Sequence, residues 1–521
     1  GGAGAPLTVG LALGGDLIAT ADHGGTSVSL ARADGGSALS YGGLIAYDAT
    51  GKAVPAHLSV TTTADGQSLS IQVDDAGAQY PLTIDPFIQQ SKLTGAAVDL
   101  SFFGYSVGMN SAGTVMIVGA KGQQSAPNNG RGAAYIFTRT ETTWAQTAVL
   151  TASDAADGDE FGTSVAISLD GATAVVGAPN ATVDGHALQG AVYVFSPSGG
   201  VWAQAKKVTA DDGAAGDHFG TSVSIAAAGG AFVVGAPDAK VGANAGQGAS
   251  YVYTGAAAAW TQAARLVASD GVAGDGFGSS VSISGDGGTA AIGAPDATGH
   301  KGAVYLFTGA AGPWTQATRL DASDAVAGSQ LGWAVSTSYD GGVVLAGAPG
   351  AASTPGAAYL YTKSISSWSQ TTKLAANDAS ADDGFGFSVA ISADGGVAVV
   401  GSPQKASGAS QFQGAAYVYT RSGGGWPQTA KLVSNDGAAF DLFGSSVALS
   451  TGGGFVLAGA PRAAILSHLI QGAAYVYSYS APVVVTTNPV DQTTTVGSPV
   501  TFTAAATGSP GAVASWQVST D

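Results

Sequence analysis

The sequence predicts an all-β fold built from repeated four-stranded units, and three observations support this prediction. Glycine contributes 80 of the 521 residues without a Gly-X-Y period, which is about twice its usual share of roughly 7% and indicates many tight turns between short strands. One sequence unit recurs seven times along the chain. Each unit contains four short runs rich in valine, isoleucine, tyrosine and tryptophan, which are residues that β-strands favour.

Each copy of the unit begins with an apolar residue followed by glycine, and successive copies start 54 or 58 residues apart. The seven starting pairs are Phe103-Gly104, Phe161-Gly162, Phe219-Gly220, Phe277-Gly278, Leu331-Gly332, Phe385-Gly386 and Phe443-Gly444. A second glycine follows fifteen residues after the first, and a proline stands two residues further on in every copy except the first. Self-similarity at a nearly fixed period is the signature of a repeat architecture.

The four predicted strands of the second copy are 164–168, 174–177, 191–195 and 202–208. A tyrosine closes the third run in every copy, and a tryptophan stands nine residues later in all but the last. An Asp-Gly pair such as Asp170-Gly171 separates the first two runs in four copies, and we expect a two-residue hairpin turn there with positive φ at both positions. The strands of a copy are therefore predicted to be antiparallel neighbours, as in one blade of a β-propeller.

The ring of blades is predicted to close through the segment that precedes the first copy. Residues 87–93 have the same span as 144–150, so that Phe87 takes the place of a tryptophan and supplies the strand that the seventh copy lacks. Closure removes the exposed strand edges that an open array would leave. The sequence thus predicts a seven-bladed β-propeller over residues 87–480.

The repeated residues resemble a known family. Phe161-Gly162, Gly177-Ala178-Pro179 and Gly190-Ala191-Val192-Tyr193 are similar to the FG-GAP repeats of integrin α-chain propellers and their bacterial relatives. The resemblance implies an extracellular or cell-surface binding module, with its ligand on one loop face. It does not extend to the Asp-x-Asp-x-Asp-Gly calcium loop of many such repeats, because only a tight turn with one carboxylate stands there and calcium takes six to eight oxygens.

Two further regions flank the predicted propeller. Residues 1–86 contain strand-like runs at 44–47, 58–62, 69–73 and 80–84 and are predicted to form a small N-terminal β-domain. Residues 481–521 resemble the start of a bacterial Ig-like domain, in which Trp516 would pack in the core. Because the chain begins at Gly1 and ends at Asp521 within a strand-like pattern, we expect it to be a fragment.

Charge and composition exclude several classes of partner. The net charge is −17, from 18 Lys plus Arg against 35 Asp plus Glu, and this charge would repel nucleic acid and anionic lipid. There is no cysteine and hence no disulfide or thiolate site. No apolar run reaches the 18 or more residues of a membrane-spanning helix, so we expect no membrane insertion within this segment.

The candidate ligand face carries a repeated acidic motif. Loops from copy to copy, and loops between second and third strands, would share one face, and binding residues concentrate on such loops. The candidate residues are Asp154, Asp159, Asp212, Asp217, Asp270, Asp275, Asp324, Asp378, Asp383, Asp436 and Asp441. They could form cation sites or an acidic funnel for a basic ligand. Alternatively, each bonds its own backbone and fixes a turn, which their recurrence in every copy favours.

Four histidines and one serine are the remaining candidates for zinc binding or catalysis. His186, His218, His300 and His468 fall in loops of this face without the spacing of zinc ligands. Gly104 to Gly108 matches the Gly-x-Ser-x-Gly pattern, but Ser106 lies in a predicted strand, where the Ser-Val pair recurs in other copies. The repeated tyrosines and tryptophans are expected to pack the blades. We therefore expect no catalytic residue and no resident metal or other cofactor, with calcium as the open alternative.

These observations predict a non-enzymatic extracellular or surface adhesion module, monomeric, that presents a propeller loop face to a protein or glycan. One alternative is a carbohydrate-active enzyme, or a domain associated with one, whose catalytic part lies outside this segment. The other is a structural spacer without a ligand. Fold alone does not decide among these functions.

Overall fold

The structure is a computed structural model, and it describes most of the chain. The described residues are 7–13, 18–21, 25, 27–31, 37–42, 46–48, 53–63, 66–80, 82–84, 87–122, 130–141, 143–309, 313–350, 354–365, 367–406, 410–479, 484–487 and 505–507. The Ig-like prediction depends on the region around Trp516 and on 500–504, which lie outside the described residues.

The fold is all-β, as predicted, and consists of two compact units. The first unit comprises the described residues of 1–91, 427–435 and 477–521, and the second comprises those of 92–426 and 436–476. A single helical turn, α1 (Ala297–His300), is the helix found among the described residues.

The first unit contains three groups of paired strands. Its strands before the repeats are β1 (Leu7–Leu13), β2 (Ile18–Ala21), β3 (Ser27–Ala31), β4 (Ser37–Gly42), β5 (Ala46–Tyr47), β6 (Ala53–Val54), β7 (Ala56–Thr63), β8 (Gly66–Val73), β9 (Leu82–Ile84) and β10 (Phe87–Leu93). The orders are β1-β8-β7, β2-β3-β4-β10 and β9-β5-β6, and two strands near the end of the chain, Val484–Thr487 and Ala505–Thr507, extend the third group beyond β9. Apolar side chains such as Val28, Leu58 and Ile71 are buried together in a core of their own.

The first three copies of the repeat each form one four-stranded antiparallel sheet in chain order. Their strands are β11 (Phe103–Met109), β12 (Val115–Ala120), β13 (Ala133–Thr140) and β14 (Thr143–Leu150); β15 (Ser164–Ile167), β16 (Ala174–Ala178), β17 (Ala191–Ser198) and β18 (Val201–Val208); and β19 (Ser222–Ile225), β20 (Ala231–Ala236), β21 (Ala249–Ala256) and β22 (Ala259–Leu266).

The fourth and fifth copies repeat this order. Their strands are β23 (Ser280–Ile283), β24 (Thr289–Ala294), β25 (Ala303–Thr308) and β26 (Thr315–Leu320), then β27 (Ala334–Thr337), β28 (Val343–Ala348), β29 (Ala357–Lys363) and β30 (Trp368–Leu374). The remaining strands are β31 (Ser388–Ile391), β32 (Val397–Ser402), β33 (Ala415–Thr420), β34 (Gln428–Leu432), β35 (Ser446–Leu449), β36 (Phe455–Ala460), β37 (Ala473–Tyr479), β38 (Val484–Thr487) and β39 (Ala505–Thr507). The first strand of each sheet packs against the first strand of the next.

The hairpin turns between first and second strands differ from the prediction. In the Asp-Gly pairs only the glycine has a positive φ, for example 74° at Gly171. The Gly171 amide donates to the Ser168 carbonyl at 2.8 Å, so that a turn without left-handed residues at its centre precedes the glycine. The expectation of positive φ at both positions was wrong, because the aspartate bonds through its carboxylate instead: Asp170 Oδ1 accepts from the Ala172 amide at 2.9 Å.

The hydrophobic core of the second unit lies between consecutive copies. Phe161 and Tyr193 of copy two are buried with Ile117 and Ile136 of copy one, and the rings of Phe161 and Tyr193 meet edge to face at 5.5 Å. The second glycine of the repeat allows this close approach. A Cβ atom on Gly177 would stand 2.1 Å from the carbonyl oxygen of Gly220 in the next copy.

Copies one and seven contact each other in the same way as neighbours in sequence. Ser164 Oγ donates to the Gly220 carbonyl at 2.7 Å, and Ser446 Oγ of copy seven donates to the Gly104 carbonyl of copy one at 2.9 Å. A parallel bridge likewise pairs Phe103 with Gly472.

Strand β10 has the bonding pattern of a fourth strand. In copy two, Gln204 Oε1 accepts from the Ser153 amide at 2.9 Å. Gln89 on β10 makes the equivalent bond with the Asn435 amide at 3.2 Å. The Gln90 side chain also donates to Ser478 at 2.7 Å, so β10 lies beside β37.

Candidate functional site

The first aspartate of each loop between copies binds side chains of the copy that follows. Asp154 accepts a hydrogen bond from the Tyr193 hydroxyl at 2.9 Å and another from Lys207 Nζ at 2.6 Å. Tyr193 and Lys207 are direct partners across β17 and β18, so the sheet aims both side chains at the loop. We call this set, an aspartate with the tyrosine and the basic residue of the next copy, the inter-copy clasp.

The clasp recurs along the chain with either lysine or arginine. The carboxylate–cation distances are 3.0 Å for Asp212–Arg265, 2.5 Å for Asp270–Arg319, 2.5 Å for Asp324–Lys373 and 2.5 Å for Asp436–Lys92. Asp378 binds the Tyr417 hydroxyl at 2.8 Å and lies 3.6 Å from Lys405. The first copy has Val149 at the basic position and Ala96 at the aspartate position, so both charges of the clasp are absent there.

The clasp favours the charged form of Asp154, Asp270 and Asp324. Partial burial raises the pKa of Asp154, but the hydrogen bonds from Lys207 and Tyr193 outweigh burial and bring the pKa below its ordinary value. The pKa values of Asp270 and Asp324 are lowered for the same combination of causes. Burial and the neighbouring carboxylate raise the pKa of the Tyr193 hydroxyl, which stays protonated and donates.

The second aspartate of each pair bonds its own backbone, as one of the two sequence interpretations predicts. Asp159 is 6% exposed, and its Oδ2 accepts from the Ala156 amide at 2.8 Å. Asp217, Asp275, Asp383 and Asp441 accept the equivalent amide at 2.8, 2.7, 2.6 and 2.8 Å. Where serine replaces the aspartate, the Ser329 hydroxyl keeps the bond at 3.0 Å. Desolvation raises the pKa of Asp159, Asp217 and Asp441.

The two aspartates of one loop lie close enough to interact, because the charge of Asp154 helps to raise the pKa of Asp159. They do not form a shared metal site. Within the part of the chain that the structure describes, no three histidine, aspartate or glutamate side chains converge as they would around a metal ion. The turn aspartates, which occupy the place of the calcium loop, are bonded locally, as Asp286 is to the Gly288 amide at 2.9 Å.

In copy six the second aspartate of the pair, Asp383, forms a buried ion pair with Lys405. Lys405 is 6% exposed, and its Nζ lies 2.9 Å from Oδ2 of Asp383, which is 4% exposed. Nζ also donates to the Asp378 carbonyl. The equivalent position in copies two and three holds the buried alanines Ala181 and Ala239, so the lysine adds an ammonium group where those copies have a methyl group.

The remaining sequence candidates have local partners. The Nδ1 atoms of His218, His300 and His468 lie 2.8, 2.9 and 3.1 Å from the carboxylates of Asp238, Asp296 and Asp99. His186 lies 3.1 Å from Gln189. Ser106 Oγ donates to the Gly162 carbonyl at 2.9 Å, the same bond that Ser164 makes, so it serves the contact between copies.

One set of residues on this face was missed by the sequence reasoning. The residue after the starting Phe-Gly or Leu-Gly pair is threonine or serine in four copies but Tyr105, Trp333 or Phe387 in the other three. Trp333 and Tyr105 are each 38% exposed, and the rings of Trp333 and Phe387 are 5.5 Å apart. In the sequence these three aromatic residues are visible only as departures from the repeat.

In comparison with known proteins, the chain matches the model of one protein family. The family model described as FG-GAP repeat matches residues 144–195, 202–253, 260–307, 314–361, 368–419 and 426–477, which is more than half of the chain. Each match runs from the tryptophan in or just before the fourth strand of one copy into the third strand of the next. No curated protein matches the chain. Among the described residues, no helix has the length and apolar character needed to cross a bilayer.

Proposed function

Because the chain belongs to the FG-GAP repeat family, we propose that it is a non-enzymatic binding module whose repeated sheets present one loop face to a protein or glycan. The observation that carries this proposal is that the copies differ in their loops and not in the strand ends beside them. The loops between second and third strands contain a short hairpin bridge in copies two, three and seven but the turn α1 in copy four. In these copies the second strand ends, and the third strand begins, at the same position of the repeat. Variable loops on a constant scaffold are typical of binding surfaces.

Within this proposal the second unit, with β10 and β34, forms a closed seven-bladed propeller over residues 87–480. The Ser446–Gly104 bond and the Phe103–Gly472 bridge support closure, because they repeat the contacts between consecutive copies. The Gln89–Asn435 bond supports β10 as the fourth strand of the seventh blade. Residues 1–86 would be a separate β-domain, and 481–521 the start of an Ig-like domain.

We further propose an extracellular or cell-surface location, as in integrin-like and bacterial surface propellers, and a monomeric state. The acidic charge of −17 favours a partner other than nucleic acid. Binding is favoured over catalysis because the clasp carboxylates are bonded to a tyrosine and a cation, and the second aspartates to backbone amides. The histidine–aspartate pairs His218–Asp238, His300–Asp296 and His468–Asp99 lie in different copies. We propose that the module needs no resident calcium.

The test is a screen of the full chain against arrays of extracellular proteins and glycans. A matched pair of variants locates the ligand. Leu466→Ser with Leu469→Ser removes apolar side chains that are 97% and 68% exposed on a loop between second and third strands, and Ile365→Ser removes one that is 105% exposed in a turn between third and fourth strands. The proposed face predicts weaker binding for the first variant only.

Loss of binding in the Ile365 variant alone would place the ligand on the other set of turns and contradict the proposal. Absence of any array ligand would favour the spacer function. Turnover of chromogenic polysaccharides by the chain would contradict a non-enzymatic module.

A further inference from the structure

The residue that follows the starting pair has one structural role in four copies. Thr163, Thr221, Ser279 and Ser445 each donate their hydroxyl to the carbonyl of the residue three positions earlier, at 2.7 or 2.8 Å. The backbone amide of the same residue bonds the same carbonyl, as Thr163 does to Glu160 at 3.1 Å. A small hydroxyl side chain therefore completes a turn at the entrance to the first strand.

Aromatic residues replace that hydroxyl in copies one, five and six without changing the turn. The Trp333 amide donates to Gln330 at 3.1 Å, and the Phe387 amide donates to Gly384 at 3.1 Å. Because the backbone bond is kept while the hydroxyl bond is given up, the fold does not require these aromatic side chains. Trp333 is exposed and Phe387 is half-buried beside it, and aromatic side chains are enriched at binding interfaces.

Trp333 and Phe387 form one surface because they lie in consecutive copies whose first strands, β27 and β31, pack together. Their rings are 5.5 Å apart and tilted by 46°, and Trp333 is 38% exposed. Tyr105 differs from this pair. The Lys121 ammonium covers its ring at 4.2 Å from the centroid and pairs with Glu160 at 3.1 Å, so one face of Tyr105 is already occupied.

Two amide side chains and the carboxylate of Asp296 lie beside the aromatic pair. Gln330, in the turn that leads into Trp333, donates to Asp296 at 3.4 Å. The Gln404 side-chain oxygen lies 3.5 Å from where a Cβ on Gly384 would stand, next to Phe387. An amide donates and accepts hydrogen bonds at once, which suits the hydroxyl groups of a ligand.

Two carboxylates of the adjoining loops are paired with lysines, whereas Asp296 has His300 and Gln330 as its side-chain partners. Asp324 pairs with Lys373 at 2.5 Å, and Asp383 pairs with Lys405 at 2.9 Å. A cationic ligand would find these charges compensated, and an anionic one would meet the protein's net negative charge of −17. An anionic ligand is therefore disfavoured, and the amides together with the Asp296 carboxylate suit the hydroxyl groups of an uncharged ligand.

We propose that Trp333 and Phe387 form a subsite for a neutral glycan, with one sugar ring stacked on Trp333 and its hydroxyl groups bonded by Gln330 and Gln404. This subsite rests on the proposed function, since it names the ligand class and the position on the loop face. An aromatic side chain offers a flat apolar surface to the C–H face of a sugar, and the amides form hydrogen bonds with the hydroxyl groups at the edge of the sugar ring.

The experiment measures tryptophan fluorescence and isothermal titration of the full chain with neutral hexasaccharides of glucose, xylose and mannose, after an array of neutral glycans has chosen the best of them. The test variants are Trp333→Ser and Phe387→Ser, which install the residue type that other copies hold at this position and so preserve the turn. The control is Val201→Ser, which removes a 69% exposed apolar side chain from the first residue of the fourth strand β18.

We expect the wild-type chain and the Val201 variant to bind one neutral glycan alike, independently of salt, and Trp333→Ser to weaken binding by about tenfold or more, as for a central interface aromatic. Binding of no neutral glycan, or equal binding by the Trp333 variant, would overturn the subsite. If an extracellular protein binds the loop face and the Trp333 variant retains it, the subsite fails while the proposed function stands. If an arginine-rich peptide binds through Trp333 and no glycan does, the ligand class is wrong.

Discussion

The Tyr193 hydroxyl donates a 2.9 Å hydrogen bond to Asp154, which stands 39 residues earlier in the loop that joins two copies. Tyr193 is 1% exposed, so its hydroxyl has little access to water as an alternative partner. Tyr193→Phe is expected to lower the free energy of unfolding by about 1.5 kcal/mol, as for a hydrogen bond to a charged group.

Lys207, the cation of the same clasp, is expected to contribute less than Tyr193 to the free energy of unfolding. Asp154 and Lys207 side chains are 47% and 28% exposed, and such a pair contributes about 0–1 kcal/mol. Calorimetric melting of Tyr193→Phe, Lys207→Met and the exposed control Tyr339→Phe tests this order. Equal losses in all three would show that the buried hydroxyl has no special role.

The two aspartates of one loop are expected to respond to pH with opposite sign. Desolvation raises the pKa of Asp159 above its ordinary value of 3.8, so the folded state binds this proton more readily than the unfolded state does. The contribution of Asp159 to stability is thus complete below pH 3.8 and is lost as pH rises through the raised pKa. Asp159→Asn keeps an acceptor for the Ala156 amide and is expected to melt higher than wild type at pH 7.

Asp154 is the matched control, because its pKa is lowered. Its contribution is present above pH 3.8 and is lost as pH falls through the lowered pKa, so Asp154→Asn is expected to melt lower than wild type at pH 7. Both differences should shrink on acidification towards about pH 3. A lower melting temperature for Asp159→Asn at pH 7 would contradict the sign of its shift.

The buried pair in copy six is expected to respond asymmetrically to loss of either partner. Asp383→Ala would leave the Lys405 ammonium buried beside fewer oxygens and should cost about 3–5 kcal/mol. Lys405→Ala recreates the arrangement in copies two and three, where Ala181 and Ala239 occupy this position, and should cost about 1–2 kcal/mol. Chemical denaturation of both variants distinguishes these outcomes, and the reverse order would show that Asp383 depends on the lysine.

The repeated second glycine is expected to tolerate no side chain. In Gly177→Ala the new methyl group would stand 2.1 Å from the backbone oxygen of Gly220, and backbone cannot move aside as a flexible side chain can. We expect a loss of about 3 kcal/mol. Gly230→Ala is the control, since no atom lies within 4 Å of its added Cβ and its φ is not positive; a melting shift as large as that of Gly177→Ala would remove the steric explanation.

Chelation is expected to leave the melting temperature unchanged. Asp170 Oδ1 already accepts bonds from the Ser168 hydroxyl at 2.5 Å and the Ala172 amide at 2.9 Å, and a single carboxylate supplies too few oxygens for calcium. Melting after EDTA treatment, and again with added calcium, checks this. A stabilisation that depends on calcium would show a site that these turns do not explain.

Much of the fold could be predicted from the sequence because seven copies show the same pattern of strands and turns. The predicted strands of copy two, such as 164–168 and 202–208, agree with Ser164–Ile167 and Val201–Val208 to within a residue. Local residues set these bounds. The Asp-Gly turns were mispredicted, because the carboxylate of Asp170 satisfies the backbone in a way that the dipeptide alone does not specify.

The candidate site was only partly predictable. Asp159 bonds an amide three residues away, so its role follows from local spacing. Asp154 bonds Lys207 from 53 residues further along the chain, and that pairing becomes visible only when the sheets are assembled. Trp333 stands where other copies have a hydroxyl, so a search for recurring residues passes over it.

The Ser446–Gly104 bond joins residues 342 positions apart, and this separation affects how the protein is made. Synthesis proceeds from the N-terminus, so the first copy emerges long before its partner in the seventh copy exists. Until then β11 offers an apolar surface that other nascent chains can bind. Chains truncated before residue 446 are therefore expected to aggregate, and the final contact, with its large loop-closure entropy, is expected to form last.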